Sequence, residues 1–104
     1  MSREDFQQYL RETHLPLVTR LPGLRRLVVN WVLPDPNEPP PAYDAVAEEW
    51  FDDPAAMGAA LASPEGQAVT ADMPNFLDLS RSAFLVVEEE DVPLPTGSAA
   101  SPAD

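Results

Sequence analysis

Phe6, Tyr9, Leu10, Thr13 and Leu17 fall at spacings of three and four, which places them on one face of a helix. Ser2 is positioned to cap that helix, and Glu4 and Asp5 put negative charge on its first turn. Pro16 interrupts the pattern, because it lacks an N–H and disfavours helical geometry at Leu15. A kink or restart is therefore expected near His14, with the helix ending before Leu21-Pro22-Gly23. From Leu24 to Leu33 the period changes to two, the mark of a strand. Arg25, Leu27, Val29, Trp31 and Leu33 share one face and suit packing against helices. Leu24, Arg26, Val28, Asn30 and Val32 share the other, a mixed face such as lines a cavity.

The segment 34–42 contains five prolines and reads as a loop. Tyr43 to Phe51 is a second strand, with Asp44, Val46, Glu48 and Trp50 on one face and Tyr43, Ala45, Ala47, Glu49 and Phe51 on the other. The two strands should form an antiparallel hairpin. Asp52-Asp53-Pro54 and Ser63-Pro64-Glu65 are both helix starts, an acceptor side chain followed by proline in the first turn. The second of these helices should run towards Asp72. Phe76, Leu77 and Leu79 are expected to close the core, and Ala83–Glu89 is expected to be a last strand with Phe84–Val87 buried. Residues 92–104 are rich in Pro, Gly, Ser and Ala and read as a disordered tail behind a single domain at 1–91.

Composition narrows the function. The chain has 104 residues, 18 acids against 6 Arg and a net charge of -12. Five of the Arg lie within residues 1–26, and beyond them only Arg81 stands against 15 acids. Such a surface repels phosphate backbones and anionic lipid, so neither nucleic acid nor a membrane is expected as a partner. Absence of Cys removes disulfides, thiolate catalysis and sulfur-ligated metal. With no apolar run long enough to span a bilayer and no signal peptide at the start, a cytoplasmic location is expected. One His and scattered carboxylates lack metal-ligand spacing, and four Gly supply no phosphate-cradling loop. No metal or cofactor is expected.

His14 is the only histidine and the first candidate for chemistry, since an imidazole exchanges protons near neutral pH. The alternative is a helix-end residue, exposed or merely hydrogen-bonded. Asn30, Asp44, Glu48 and Trp50 form a second group. Asp44 and Glu48 point the same way but lie about 13 Å apart along the strand, too far for a paired-carboxylate mechanism. One of them could still hold His14 in a useful tautomer. The plainer reading has Asp44 capping the proline-rich loop, Glu48 paired with Arg26, and Trp31 and Trp50 in the core.

The order helix, strand, strand, helices, strand is that of a ferredoxin-like βαββαβ domain without its first strand. Phe6-x-x-Tyr9, His14-Leu-Pro16-Leu17, Leu21-Pro-Gly-Leu24 and Asn30 resemble the first helix, turn and strand of the EthD family. Tyr43-Asp44-Ala-Val-Ala-Glu48-Glu-Trp50-Phe51-Asp52 resembles that family's second block. Ala62-Ser-Pro-Glu-Gly66-Gln, Asp72, Phe76 and Leu85-Val-Val-Glu88 complete a resemblance spanning roughly residues 5–90. It implies an α+β fold of the dimeric α/β-barrel type, with a homodimer enclosing an apolar cavity.

It also implies a cofactor-independent enzyme, loosely labelled oxidoreductase, that acts as oxygenase, cyclase, isomerase or decarboxylase on an aromatic, polyketide or lactone-like compound. His14 would then shuttle the proton with Glu48 as its partner. Asn30 and Asp44 would orient the substrate, and Trp31 and Trp50 would line the cavity. A non-catalytic ligand-binding or accessory protein, or a remnant, are the competing readings. Three departures stand out. Family members carry a strand ahead of the residues matching Ser2, so the natural start is expected upstream, or else the tail or a partner fills the gap. Ala45 replaces a frequent Gly, and Glu49 occupies an often apolar position.

Overall fold

A computed structural model describes residues 1–96 of the chain. The first helix, α1, covers Arg3–Tyr9, and Ser2 caps it by accepting the Asp5 N–H on its hydroxyl. It continues through a single π turn at Leu10–His14 into a short α2 at Leu15–Val18. The chain then reverses at Gly23, whose φ of +80° is open to glycine at little cost.

Strands β1 (Arg26–Trp31) and β2 (Ala45–Trp50) pair antiparallel, with Arg26 opposite Trp50, Leu27 opposite Glu49, Val28 opposite Glu48 and Asn30 opposite Val46. The intervening loop is pinned where Asp35 accepts the Asn37 N–H, and Val32 and Asp44 extend the ladder by one bond. Helices α3 (Pro54–Ala62) and α4 (Pro64–Asp72) follow, each with proline in its first turn. Asp53 caps α3. Ser63 is the whole connection between the two: its hydroxyl donates to the Ala60 carbonyl and accepts the Gly66 N–H at 3.0 Å. Two 3-10 turns, Met73–Asn75 and Leu79–Arg81, complete the regular structure among the described residues.

Val18, Leu21, Ala60 and Val69 form the buried centre, with Leu17, Leu24, Leu27, Phe51 and Met73 packed around it. The helices thus lie on the sheet face that carries Leu27 and Phe51, the face its period-two pattern marks as apolar. Among the described residues the sheet's opposite face is left largely exposed, with Arg26, Asn30, Val46 and Glu48 open to solvent.

Two expectations for the C-terminal part are corrected. Ala83–Glu89 is not a strand, and Phe84 to Val87 are exposed, Leu85 to 84%. A strand is held by a neighbour's ladder, and among the described residues the sheet consists of β1 and β2 alone. Leu79 is likewise exposed rather than in the core, whereas Phe76 and Leu77 are half-buried. Residues 97–104, most of the expected tail, lie outside the described residues.

Candidate active site

The site begins with Pro16. In a regular helix its ring would strike the carbonyl of Glu12, and its missing N–H would leave that carbonyl without a donor. The helix answers with the wider π turn, closed by the Leu15 N–H donating to the Leu10 carbonyl. This changes which residues share a face. Five residues apart, Tyr9 and His14 would diverge by about 140° around a regular helix. Across the wider turn both side chains reach the same carboxylate.

That carboxylate is Asp72, at the last position of α4. It is 9% exposed, and His14 is 6% exposed. His14 Nδ1 lies 2.9 Å from Asp72 Oδ2. The Tyr9 hydroxyl donates to Oδ1 at 2.6 Å, and the Asn75 amide donates to the same oxygen at 3.0 Å. Phe76 packs against the cluster, its ring 4.6 Å from that of His14 and 5.3 Å from that of Tyr9.

A carboxylate at the C-terminal end of a helix faces the negative pole of the helix dipole. Burial also pushes the Asp72 carboxyl up, but donation from Tyr9, Asn75 and His14 outweighs it and holds the group below the usual aspartate range. The same contact raises Tyr9, because its phenol donates to a carboxylate and would become a second anion beside it.

An ionised carboxylate only accepts hydrogen bonds, so Asp72 selects the histidine tautomer with hydrogen on Nδ1 and a lone pair on Nε2. No buried side-chain nitrogen or oxygen lacks a partner among the described residues. Nε2 makes no hydrogen bond to them, so it touches solvent. The arrangement is an imidazole whose Nδ1 is held by a carboxylate that itself accepts from two further donors, the kind of orientation that acid–base sites use.

The other sequence-derived candidates fall on two sides of the sheet. Trp31 is on the helix side, where Arg11 from the π turn stacks 4.6 Å above its ring. Asn30, Asp44, Glu48 and Trp50 belong to the uncovered face. There the Asn30 amide donates to Glu48 at 2.7 Å, Arg26 stacks 4.5 Å over Trp50, and the Trp50 indole donates to Glu89 at 3.1 Å. The structure therefore does not bring Glu48 or Asn30 to His14, because adjacent residues of a strand point to opposite faces and it is Glu49 that shares the helix side.

Glu48 bonds Asn30, and Arg26 has taken Trp50 instead of the carboxylate. The carboxylate that orients His14 is Asp72. Among the described residues no group of three or more His, Asp or Glu is placed to hold a metal ion, and no helix is long and apolar enough to cross a membrane. The parts played by Asp72 and Tyr9 escaped sequence reasoning. The available signal was Pro16, which requires a disturbed turn four residues earlier.

Comparison with known proteins agrees with this architecture. The family model for the EthD domain matches residues 1–80. An uncharacterized 11.0 kDa protein in the thcB-thcC intergenic region of Rhodococcus erythropolis is 34% identical over 90 residues, covering 86% of this chain and 84% of that protein. The crystal structure of an ethyl tert-butyl ether d (EthD) family protein from Bacillus halodurans c-125 matches with a TM-score of 0.66 at 27% identity, covering 72% of this chain and 74% of that one. The helices and antiparallel hairpin described above are accordingly those of a ferredoxin-like α+β fold, and the chain belongs to the EthD domain family.

Proposed function

We propose that this EthD-domain protein is a small enzyme that needs no cofactor and moves a proton on an aromatic, polyketide or lactone-like compound, with His14 as the base. The observation that carries the reading is the buried 2.9 Å contact between His14 Nδ1 and Asp72. It commits one ring nitrogen to structure and leaves Nε2 as the acceptor. Tyr9 and Asn75 are positioning residues that act through Asp72. Trp31, on the same side of the sheet, is the wall on which a flat ligand would lie.

Proton removal of this kind serves a cyclase or an isomerase as well as the oxidoreductase label attached to the family. The uncovered sheet face, with Asn30, Asp44, Glu48 and Trp50, is the surface a second copy of the chain would cover in a homodimer. A cytoplasmic setting fits the acidic, cysteine-free chain.

A positioned general base contributes about 10²- to 10⁴-fold to rate. Against a panel of aromatic and polyketide-like ketones and lactones, His14→Gln should lose turnover by that factor while its circular dichroism stays unchanged. Asp72→Asn should move the ring hydrogen to Nε2, because the Asn amide now donates, and imidazole ¹⁵N shifts read this directly in a chain with one histidine. Undiminished turnover in folded His14→Gln would remove His14 from the mechanism.

One observation favours a second reading, a binding protein without chemistry: His14 and the Asn30–Glu48 pair do not converge on one hollow. That reading expects the same panel to bind without being converted.

A further inference from the structure

Phe76 has no polar side-chain group, yet its ring lies against both of the rings that Asp72 gathers. Its centroid is 4.6 Å from that of His14, at an interplanar angle of 48°, and 5.3 Å from that of Tyr9, at 27°. A third ring, Phe6, stands 5.9 Å away. Packed aromatic pairs have separations of about 4.5–7 Å. Phe6 and Tyr9 both belong to α1, so that helix lays two rings against Phe76.

The backbone of Phe76 is equally fixed. The 3-10 turn Met73–Asn75 ends at this residue, whose N–H donates to the Met73 carbonyl at 3.2 Å. The Leu77 N–H donates to the same carbonyl at 2.9 Å. One short stretch of chain thus brings His14 the Asp72 carboxylate, the Asn75 donor that holds this carboxylate, and an apolar ring against the imidazole.

A hydrogen bond alone does not fix an imidazole. The torsion about Cβ–Cγ is soft and roughly two-fold, and one contact at Nδ1 leaves the ring plane free to rock. Turned by half a circle, the ring would place carbon where Nδ1 had been, lose Asp72 and carry Nε2 elsewhere. Such a turn sweeps the imidazole edge through space that a neighbour packed at 4.6 Å fills.

We propose that Phe76 is a positioning residue for His14: its ring blocks that rotation and keeps water from the His14–Asp72 bond, so that Nε2 meets the ligand from one direction. The proposal rests on the acid–base reading given above and deepens it. Both partners of the shielded bond are buried, His14 to 6% exposure and Asp72 to 9%. Phe76 itself takes and gives no proton and acts only through the imidazole.

The test is the Nδ1 proton of His14, unambiguous because the chain has one histidine. In the parent this proton should exchange slowly with water, and NOEs should tie the imidazole to the Phe76 ring in one orientation. Phe76→Leu keeps an apolar side chain and removes the ring, and Phe76→Tyr restores the ring. Exchange should speed up by about tenfold or more in Phe76→Leu and return to the parent rate in Phe76→Tyr. On the ketone and lactone panel, kcat should fall by about tenfold in Phe76→Leu with KM unchanged, as when a reacting group loses alignment.

A purely structural Phe76 would lower the urea midpoint and leave exchange in the folded protein as it was. Equal exchange in the parent and folded Phe76→Leu would therefore overturn the proposal. An Nδ1 proton that exchanges in the parent as fast as that of free imidazole would overturn it whether or not a variant folds. If exchange is unchanged while His14→Gln has lost turnover, Phe76 is excluded and His14 remains the base. If exchange rises but His14→Gln keeps its turnover, the positioning of the ring stands and the assignment of His14 as base fails.

Discussion

A methyl group added at residue 66 should do the opposite of one added at residue 58. Gly66 lies in the first turn of α4, where that helix crosses the end of α3. A Cβ built there would meet the carbonyl oxygens of Ala60 and Leu61 and come within 2.6 Å of the Leu61 carbonyl carbon. Ordinary carbon contacts lie at about 3.5–4.0 Å, so one helix would have to retreat by about 1 Å. Every atom in the way is backbone, and no side chain can swing aside.

Overpacking of this kind costs about 1–3 kcal/mol, and rigid neighbours argue for the upper end. Alanine returns about 1 kcal/mol through its better helix propensity. The net loss for Gly66→Ala is about 2 kcal/mol, roughly a 30-fold change in the folding equilibrium. Gly58 occupies the middle of α3 with nothing within 4 Å of the same added atom. Gly58→Ala should gain about 0.5–1 kcal/mol. Urea denaturation separates the two: with a slope of about 2 kcal/mol per molar, the midpoint should fall by about 1 M for the first and rise slightly for the second. A Gly66→Ala protein as stable as the parent would refute the close crossing, and with it the placement of Asp72, which α4 carries to the site.

Two shorter predictions concern the same framework. Among the described residues Val18 is the largest fully buried side chain, so Val18→Ala should cost about 2 kcal/mol by loss of burial and the cavity left behind, measured in the same urea experiment. Asp72 is held below its unfolded pKa, so its contribution to stability is complete above the ordinary aspartate range and fades as pH falls through the folded value. Stability of the parent relative to Asp72→Asn should therefore shrink on acidification, and a difference that widens at low pH would contradict the bonding described for Asp72.

How far the sequence could be read depended on how local the signal was. Ser2, Asp53 and Ser63 cap the helices that their spacing to proline or acid announced, because capping is settled within four residues. The hairpin at 26–50 followed from alternation and a loop too rich in proline to be anything else. The segment 83–89 has a strand's composition, but composition cannot supply a neighbouring ladder, and Phe84–Val87 stand in water.

At the site, His14 was visible as a lone titratable group beside a proline. Its partner was not, because Asp72 lies 58 residues away and meets it only through the packing of α4 on the π turn. Glu48 stands apart from His14 because the helices cover the sheet face that carries Leu27 and Phe51, and adjacent strand residues point to opposite faces.

The widened turn between Leu10 and His14 puts the two ends of the first helix out of phase. A comparison of relatives that assumes one unbroken helical wheel will rotate Tyr9 away from His14 and score their joint presence as coincidence. Aligned with a slip allowed between these residues, Tyr9, His14 and Pro16 become a single unit of inheritance. Loss of the proline in a relative would then signal that the tyrosine and the histidine no longer serve the same carboxylate.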